Sequence, residues 1–212
     1  MRRNVGVDVD DLLASVIRPI DQPDETTTRI LDAASELFMT IGVRRCSVED
    51  IAERSGLGRT TVYRRFDGGR SQIVEAVLGR EIHRFFSGIL TSTAHLERFE
   101  DVVIESFLSG LRASEASLLA TLVATEPDLL RLFTIEGGPV VAAARQFLVM
   151  AYGAARPSGA ADDTTVAMVA ELLVRLAISL VLTPQTVLPL DDTDEARAAL
   201  HRLLDPLLVP LS

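Results

Sequence analysis

Seven side chains between positions 47 and 65 share one kind of chemistry, hydrogen bonding to a flat, anionic surface: Ser47, Arg59, Thr60, Thr61, Tyr63, Arg64 and Arg65. A guanidinium fork matches the acceptor pair on a guanine edge or two oxygens of a phosphate. Threonine offers a hydroxyl to phosphate and a methyl to thymine, and tyrosine can lay its ring on a sugar while its hydroxyl meets phosphate. On a helix beginning at 59, Arg59, Thr60, Tyr63 and Arg64 point one way, while Val62 and Phe66, four apart, point the other. Arg59 and Thr60 are the candidate base readers. Ser47, Thr61, Tyr63 and Arg65 are candidates to hold the nucleic-acid backbone, and Arg64 is placed to do either. An ordinary helical corner with a solvated basic face has the same spacing, so these residues alone leave both readings open.

What must position them is a pair of short helices. Ser47 can accept from the free amides of a first turn, with Asp50 three residues on completing a capping-box-like start. Val48, Ile51 and Ala52 then supply an apolar face at helical spacing. Gly56 provides the left-handed backbone of a sharp exit, Leu57 can tuck between the helices, and the second helix follows. Ahead of this pair, a helix from about Thr28 to Thr40 carries an apolar stripe of Ile30, Ala33, Ala34, Leu37, Phe38 and Ile41. Two short helices around a glycine turn, backed by a third, predict a helix-turn-helix able to enter a DNA major groove.

From about Thr26 to Val77 the chain resembles the DNA-binding domain of the tetracycline-repressor-like (TetR) family of transcription regulators. The likeness rests on Ile30-Leu31-Asp32-Ala33-Ala34-Ser35-Glu36-Leu37-Phe38, Ile41-Gly42-Val43, Ser47-Val48-Glu49-Asp50-Ile51-Ala52, Ser55-Gly56-Leu57 and Thr61-Val62-Tyr63-Arg64-Arg65-Phe66. It implies a regulator, most simply a repressor, that binds a palindrome-like double-stranded DNA operator as a homodimer and is released by a small effector. Three features depart from the family pattern. Gly58 stands where a serine or threonine usually caps the recognition helix. Arg59 and Thr60 occupy variable base-reading positions, so they should help set the operator. Asp67-Gly68-Gly69 then adds one residue before Arg70, shifting Ile73 by one place and breaking the register on which a phosphate contact by Arg70 would rest.

Charge follows the same division. The net charge is −9, yet from Arg29 to Arg84 ten arginines face eight acids, while the rest of the chain holds eleven arginines and twenty-two acids. Because screening falls off over about 8 Å at physiological salt, acids on a distant body hardly oppose phosphate contacts by Arg44, Arg45, Arg59, Arg64 and Arg65. All 21 basic residues are arginine. The most hydrophobic stretch, Val166 to Leu182, is interrupted by Glu171 and Arg175, and the N-terminus has no apolar segment free of acids, so neither a membrane span nor a signal peptide is expected. The expected location is cytoplasmic.

A single cysteine, Cys46, excludes an internal disulfide and reads as a small residue beside a helix start. His83, His95 and His201 lack metal-ligand spacing, and no metal or cofactor is expected. There is no P-loop, dinucleotide fingerprint, nucleophile elbow or zinc-protease helix, so no catalytic residue is assigned and an enzyme is not expected.

Beyond Ser71 no strand alternation persists. Helical segments are predicted near 71–92, 97–112, 114–125, 127–135, 139–155, 164–183 and 194–208, so the fold class is all-α: a three-helix reader and a larger C-terminal helical body. The organisation reads as an N-terminal extension at 1–26, a helix-turn-helix domain at 27–77, and an effector-binding and dimerisation domain at 78–212. In the extension, Val9, Leu12, Leu13, Val16, Ile17 and Ile20 predict an extra amphipathic helix linked by Gln22-Pro23-Asp24, which could carry Arg2 and Arg3 to an adjacent minor groove; a mobile tail fits equally well. Segment 164–183 is apolar round most of its circumference and so must be covered on two sides. The resemblance implies that one cover is the same helix of a second subunit, joined by Ala196, Leu200, Leu203, Leu204 and Leu207 of the last helix. Phe86, Phe107, Leu111, Leu119, Leu122, Phe133, Phe147 and Met150 could line an apolar cavity. The effector is therefore expected to be apolar, with no ligand-binding residue assigned. The competing reading is a helical protein-interaction module with a vestigial helix-turn-helix, favoured by Gly58 and the Gly68-Gly69 insertion.

Overall fold

Helix α1 spans Glu25–Ile41 in the computed structural model of the chain, which describes residues 23–115, 117–127, 130–131, 134, 138–155 and 163–208. It begins ahead of the expected Thr28 because Asp24, assigned from the sequence to a linker, is its N-cap: the carboxylate accepts from the Thr27 N–H at 2.8 Å. The extra helix expected near 9–20 and the Arg2 and Arg3 arm lie outside the described residues. The helices that follow are α2 (Val48–Ser55), α3 (Arg59–Arg65), α4 (Arg70–Thr93), α5 (Phe99–Glu115), α6 (Leu118–Thr125), α7 (Gly138–Ala155), α8 (Asp163–Leu182) and α9 (Thr193–Leu208). Of the segment expected near 127–135, residues 127, 130 and 131 are helical and most of the remainder is outside the described residues. Among the described residues there is no strand, and the fold is all-α.

The chain divides into two compact units, Met1–Arg84 with Ala116–Gly137, and Phe85–Glu115 with Gly138–Ser212. In the first, α1 packs on α2 and α6, and α2 on α3. Its core is the stripe expected from α1, namely Ile30, Ala34 and Phe38, with Ile51, Val62, Phe66, Ile73 and Val77, all buried. Arg80 fixes α4 to α1. One Nη donates to Asp32 at 2.7 Å, the other to the Leu31 carbonyl at 3.1 Å and the Ser35 hydroxyl at 2.8 Å. Cys46 is buried, and that burial, then the Asp50 carboxylate, pushes its thiol up to about 11, so it carries little thiolate at neutral pH.

In the second unit, α8 packs on α7 and α5, and α9 on α5. Val103, Ile104, Phe107, Leu111, Tyr152, Val166, Ala170, Leu173, Ala196, Leu200 and Leu204 share one buried cluster. Arg197 of α9 and Arg112 of α5 meet Glu105 at 2.8 and 2.5 Å, and Ser109 donates to the same carboxylate at 2.9 Å. Burial works against ionisation of Glu105, but these hydrogen bonds and charges hold it below the usual carboxylate range.

This packing corrects the expected partner-facing surface of α9. Ala196, Leu200 and Leu204 recur every four residues and belong to their own core; only Leu203 and Leu207, one step round the helix, are exposed. On α8 the two-sided expectation has a clear outcome. Val166, Ala170, Leu173 and Val174 are buried, while Met168, Leu172 and Leu176, at i, i+4 and i+8, are exposed, Leu172 by 61%. Residues 164–182 are long and apolar enough to cross a membrane, with mean hydropathy 2.1. Mid-helix, however, Glu171 meets Arg145 at 2.7 Å and Arg175 at 2.9 Å, and the inner face is core.

Of the side chains that could line an apolar cavity, Phe107 and Leu111 are packed in the core cluster and Phe147 packs against Phe86 with ring centroids 4.5 Å apart and planes tilted by 52°. Leu122 is buried in the first unit, and Met150 is half exposed, which corrects its expected place in a lining. Phe133 lies outside the described residues.

Candidate nucleic-acid interface

The turn between α2 and α3 is built as its residues dictate. Ser47 Oγ accepts from the Asp50 N–H at 3.1 Å while the Asp50 carboxylate accepts from the Ser47 N–H at 2.8 Å, the reciprocal capping box. At the other end Gly56 sits at φ 66°, ψ 27°. The Gly56 N–H donates to Glu53 O at 3.1 Å and the Leu57 N–H to Ala52 O at 3.0 Å, a Schellman exit with Leu57 as its half-buried apolar contact. Arg29 Nη2 reaches across from α1 to the Ser55 carbonyl at 2.7 Å, satisfying one more acceptor at the helix end. A Cβ on residue 56 would lie 3.2 Å from that same nitrogen.

Helix α3 starts at Gly58 with no side-chain cap. Glycine at an N-cap costs only a few tenths of a kcal/mol relative to serine, so the departure at Gly58 leaves the helix intact. It is held by its inner face: Val62 has no exposed surface and Phe66 is buried. Arg59, Thr60, Tyr63, Arg64 and Arg65 are exposed and Thr61 is half buried, so these candidate site residues share one solvent-facing helix surface.

Carboxylates that spacing did not reveal meet several of these cations. Glu49 of α2 lies 2.6 Å from Arg59 Nη2. The Arg59 guanidinium carbon is 5.8 Å from the Tyr63 ring centroid. Arg65 pairs with Asp24, the cap of α1. Arg44, expected at phosphate, has its Nε 3.1 Å from Glu126. Arg45 and Arg64 are exposed and, among the described residues, without a carboxylate partner. Ser47 stands apart from the others: its hydroxyl is engaged by Asp50, to which it donates at 2.6 Å.

The inserted residue is absorbed in a turn. Gly69 takes φ 63° and its N–H donates to Phe66 O at 2.9 Å. With α4 then starting at Arg70, Ile73 is fully buried, and Arg70 Nη1 donates to the Val43 carbonyl at 2.8 Å. That hydrogen bond gives Arg70 a structural role within the unit. A Cβ on Gly69 would lie 3.4 Å from the Tyr63 ring, so the turn backs that ring closely.

Both caps are acid-sensitive. Hydrogen bonds from Thr27, then the Arg65 guanidinium, hold the Asp24 carboxyl below its ordinary 3.8, and hydrogen bonds from Ser47 do the same for Asp50. A folded-state value below the unfolded one contributes stability that is present above the unfolded value and is lost as pH falls through the folded value. Thermal stability of this unit should therefore show no cap-related loss between pH 7 and about 5, and should drop below 3.8. Asp50→Asn should flatten that acid limb. A wild-type limb unchanged by Asp24→Asn and Asp50→Asn together would remove the caps as its cause.

Comparison with known proteins covers nearly the whole chain. The profile described as "Bacterial regulatory proteins, tetR family" matches residues 30–77, and that described as "Bacterial Tetracyclin repressor, C-terminal domain" matches residues 100–206. The HTH-type transcriptional regulator AlkX of Mycobacterium tuberculosis is 29% identical over 181 residues, 84% of this chain and 82% of that protein. The crystal structure of the TetR family repressor AlkX from Dietzia sp., implicated in biodegradation of n-alkanes, superposes with TM-score 0.61 at 26% identity, covering 89% of this chain and 99% of the other. Salmonella enterica GusR shares the fold, with TM-score 0.52 at 19% identity over 89% of this chain and all of that one.

Proposed function

Because the chain belongs to the tetR family of bacterial regulatory proteins and is a DNA-binding transcriptional regulator rather than an enzyme, we propose that it acts in the cytoplasm as a homodimeric repressor released by a small apolar effector. The observation that carries the DNA-facing half of this reading is α3 itself. Its Val62 and Phe66 are anchored in a core, and its Arg59, Thr60, Tyr63 and Arg64 are turned to solvent as one rigid row. Two such rows one duplex turn apart bind a palindrome-like operator. Arg59 and Thr60 read bases; Ser47, Thr61, Tyr63 and Arg65 hold the backbone, Ser47 as the cap that fixes the approach of α2; Arg64 serves either role.

Dimerisation is supported by the exposed Met168, Leu172 and Leu176 row of α8 and by Leu203 and Leu207 of α9, apolar surface of the kind that marks a subunit interface. An apolar effector is supported by the hydrophobic second unit and by the likeness to AlkX, whose Dietzia form is implicated in n-alkane biodegradation. Aliphatic chains are thus the first effector class to test. The effector prefers one arrangement of the body and lowers DNA affinity by linkage.

Selection of genomic fragments by the purified protein tests this. Recovery of a palindrome-like site, released by an aliphatic compound, is the expected result; retention of no fragment above background would overturn it. Arg59→Ala should weaken binding to the recovered site by about 1–3 kcal/mol and relax one base position in each half-site. Unchanged sequence preference in that variant would move Arg59 from base reader to backbone contact.

A further inference from the structure

Arg59 is held from two sides by residues of its own unit; helical spacing already sets Tyr63 beside it, whereas the carboxylate on its other side comes from the preceding helix. On one side is the Glu49 carboxylate, 2.6 Å from Nη2. On the other is the Tyr63 ring, 5.8 Å from the guanidinium carbon, itself backed by the buried, positive-φ Gly69 of the inserted turn. Resting on the reading of α3 as the DNA-reading helix, we infer that Glu49 is a specificity-determining positioning residue: it sets the Arg59 fork before DNA arrives, so that the fork meets a base edge and not the nearest phosphate.

The physical reason is competition between two uses of one cation. An arginine on a long flexible stem is drawn to phosphate, which is everywhere along a duplex and carries no sequence information. A guanine edge asks for two parallel donors in one orientation. A guanidinium has five N–H donors. Glu49 engages one nitrogen, and the other donors remain to face a base. Holding the side chain beforehand reduces the rotamer freedom lost on binding. The same carboxylate, about half exposed beside the reading helix, repels phosphates that approach without the compensating base contact. Wrong sequences are thereby weakened more than the right one.

Glu49→Gln keeps the size and the hydrogen-bonding oxygen while removing the charge, which makes it the informative variant. Its binding, with that of Arg59→Ala and the double variant, is measured on the duplex recovered by the wild-type protein, on single-base changes across it, and on a scrambled duplex, all at one salt concentration. Glu49→Gln should bind the scrambled duplex several-fold more tightly and lose roughly tenfold of discrimination at the base position that Arg59→Ala relaxes. In the Arg59→Ala background it should flatten that position no further, because the two act through one contact. Equal tightening on every duplex would make Glu49 a simple charge effect and overturn the inference. So would relaxation at a different base position, which would make Glu49 a direct reader, or an undiminished effect without Arg59. A wild-type protein that selects no duplex would overturn the repressor reading and this inference together; a selective wild type with an indifferent Glu49→Gln overturns this inference alone.

Discussion

Leu172→Arg should convert the protein to monomers at micromolar concentration and weaken operator binding by at least about a hundredfold, while single half-site binding is kept. Leu172 is 61% exposed in the middle of the Met168, Leu172, Leu176 row. Covering the exposed part of this leucine by a second subunit contributes roughly 1–2 kcal/mol, and placing an unpaired guanidinium there costs several kcal/mol more. A twofold interface counts each change twice. The combined penalty is large beside the stability of a typical dimer, so partial dissociation is not the expected outcome. The loss at DNA follows from geometry, since two tethered readers act at high mutual concentration whereas a monomer engages one half-site. Sedimentation and titration of whole and half operators separate the effects. A variant that stays dimeric would shift the interface away from α8.

The neighbouring apolar rows on α9 show why this face was only partly legible. Helical spacing names two stripes on the last helix, Ala196-Leu200-Leu204 and Leu203-Leu207, and either could serve a core or a partner. The packing of α9 on α5 decides it, and α5 lies some ninety residues earlier. Sequence therefore carried the period and not the choice of face. Local devices were read in full: the Ser47 and Asp50 box, the Gly56 exit and the inner pair Val62 and Phe66 depend on residues three or four apart. The start of α1 was misjudged because Gln22-Pro23-Asp24 has turn composition and Thr26-Thr27-Thr28 are poor helix formers; an aspartate cap outweighs both.

The ion pairs were least legible of all. Glu49 to Arg59, Asp24 to Arg65 and Arg44 to Glu126 cross between elements, and charge counts along a chain do not say which charges meet in space. Their effect on the interface is direct, since a cation already paired loses part of its attraction for phosphate. Arg64 and Arg45, which have no such partner among the described residues, are the better placed of these cations to supply non-specific affinity.

Val62→Asp should abolish DNA binding without changing the dimer. Helix α3 has seven residues and no side-chain cap, far below the length at which a helix is stable in water by itself. Its stability comes from the inner face, where Val62 has no exposed surface. Replacing it with aspartate removes about 1.5–3 kcal/mol of apolar burial and adds a buried carboxylate with no designed partner, which costs several kcal/mol more unless it takes up a proton. Since a native unit has only about 5–15 kcal/mol in hand, the reader is expected to lose α3 and to melt well below the wild-type temperature. The second unit has its own core around Phe107, Tyr152 and Leu200, so its helicity, effector binding and dimeric mass should persist. Val62→Ala, a milder loss of volume, should weaken operator binding while leaving base preference intact, because Arg59 and Glu49 keep their relation whenever the helix is formed. Loss of dimeric mass in Val62→Asp would mean that the two units fold as one, and that the reader cannot be disabled separately from the body.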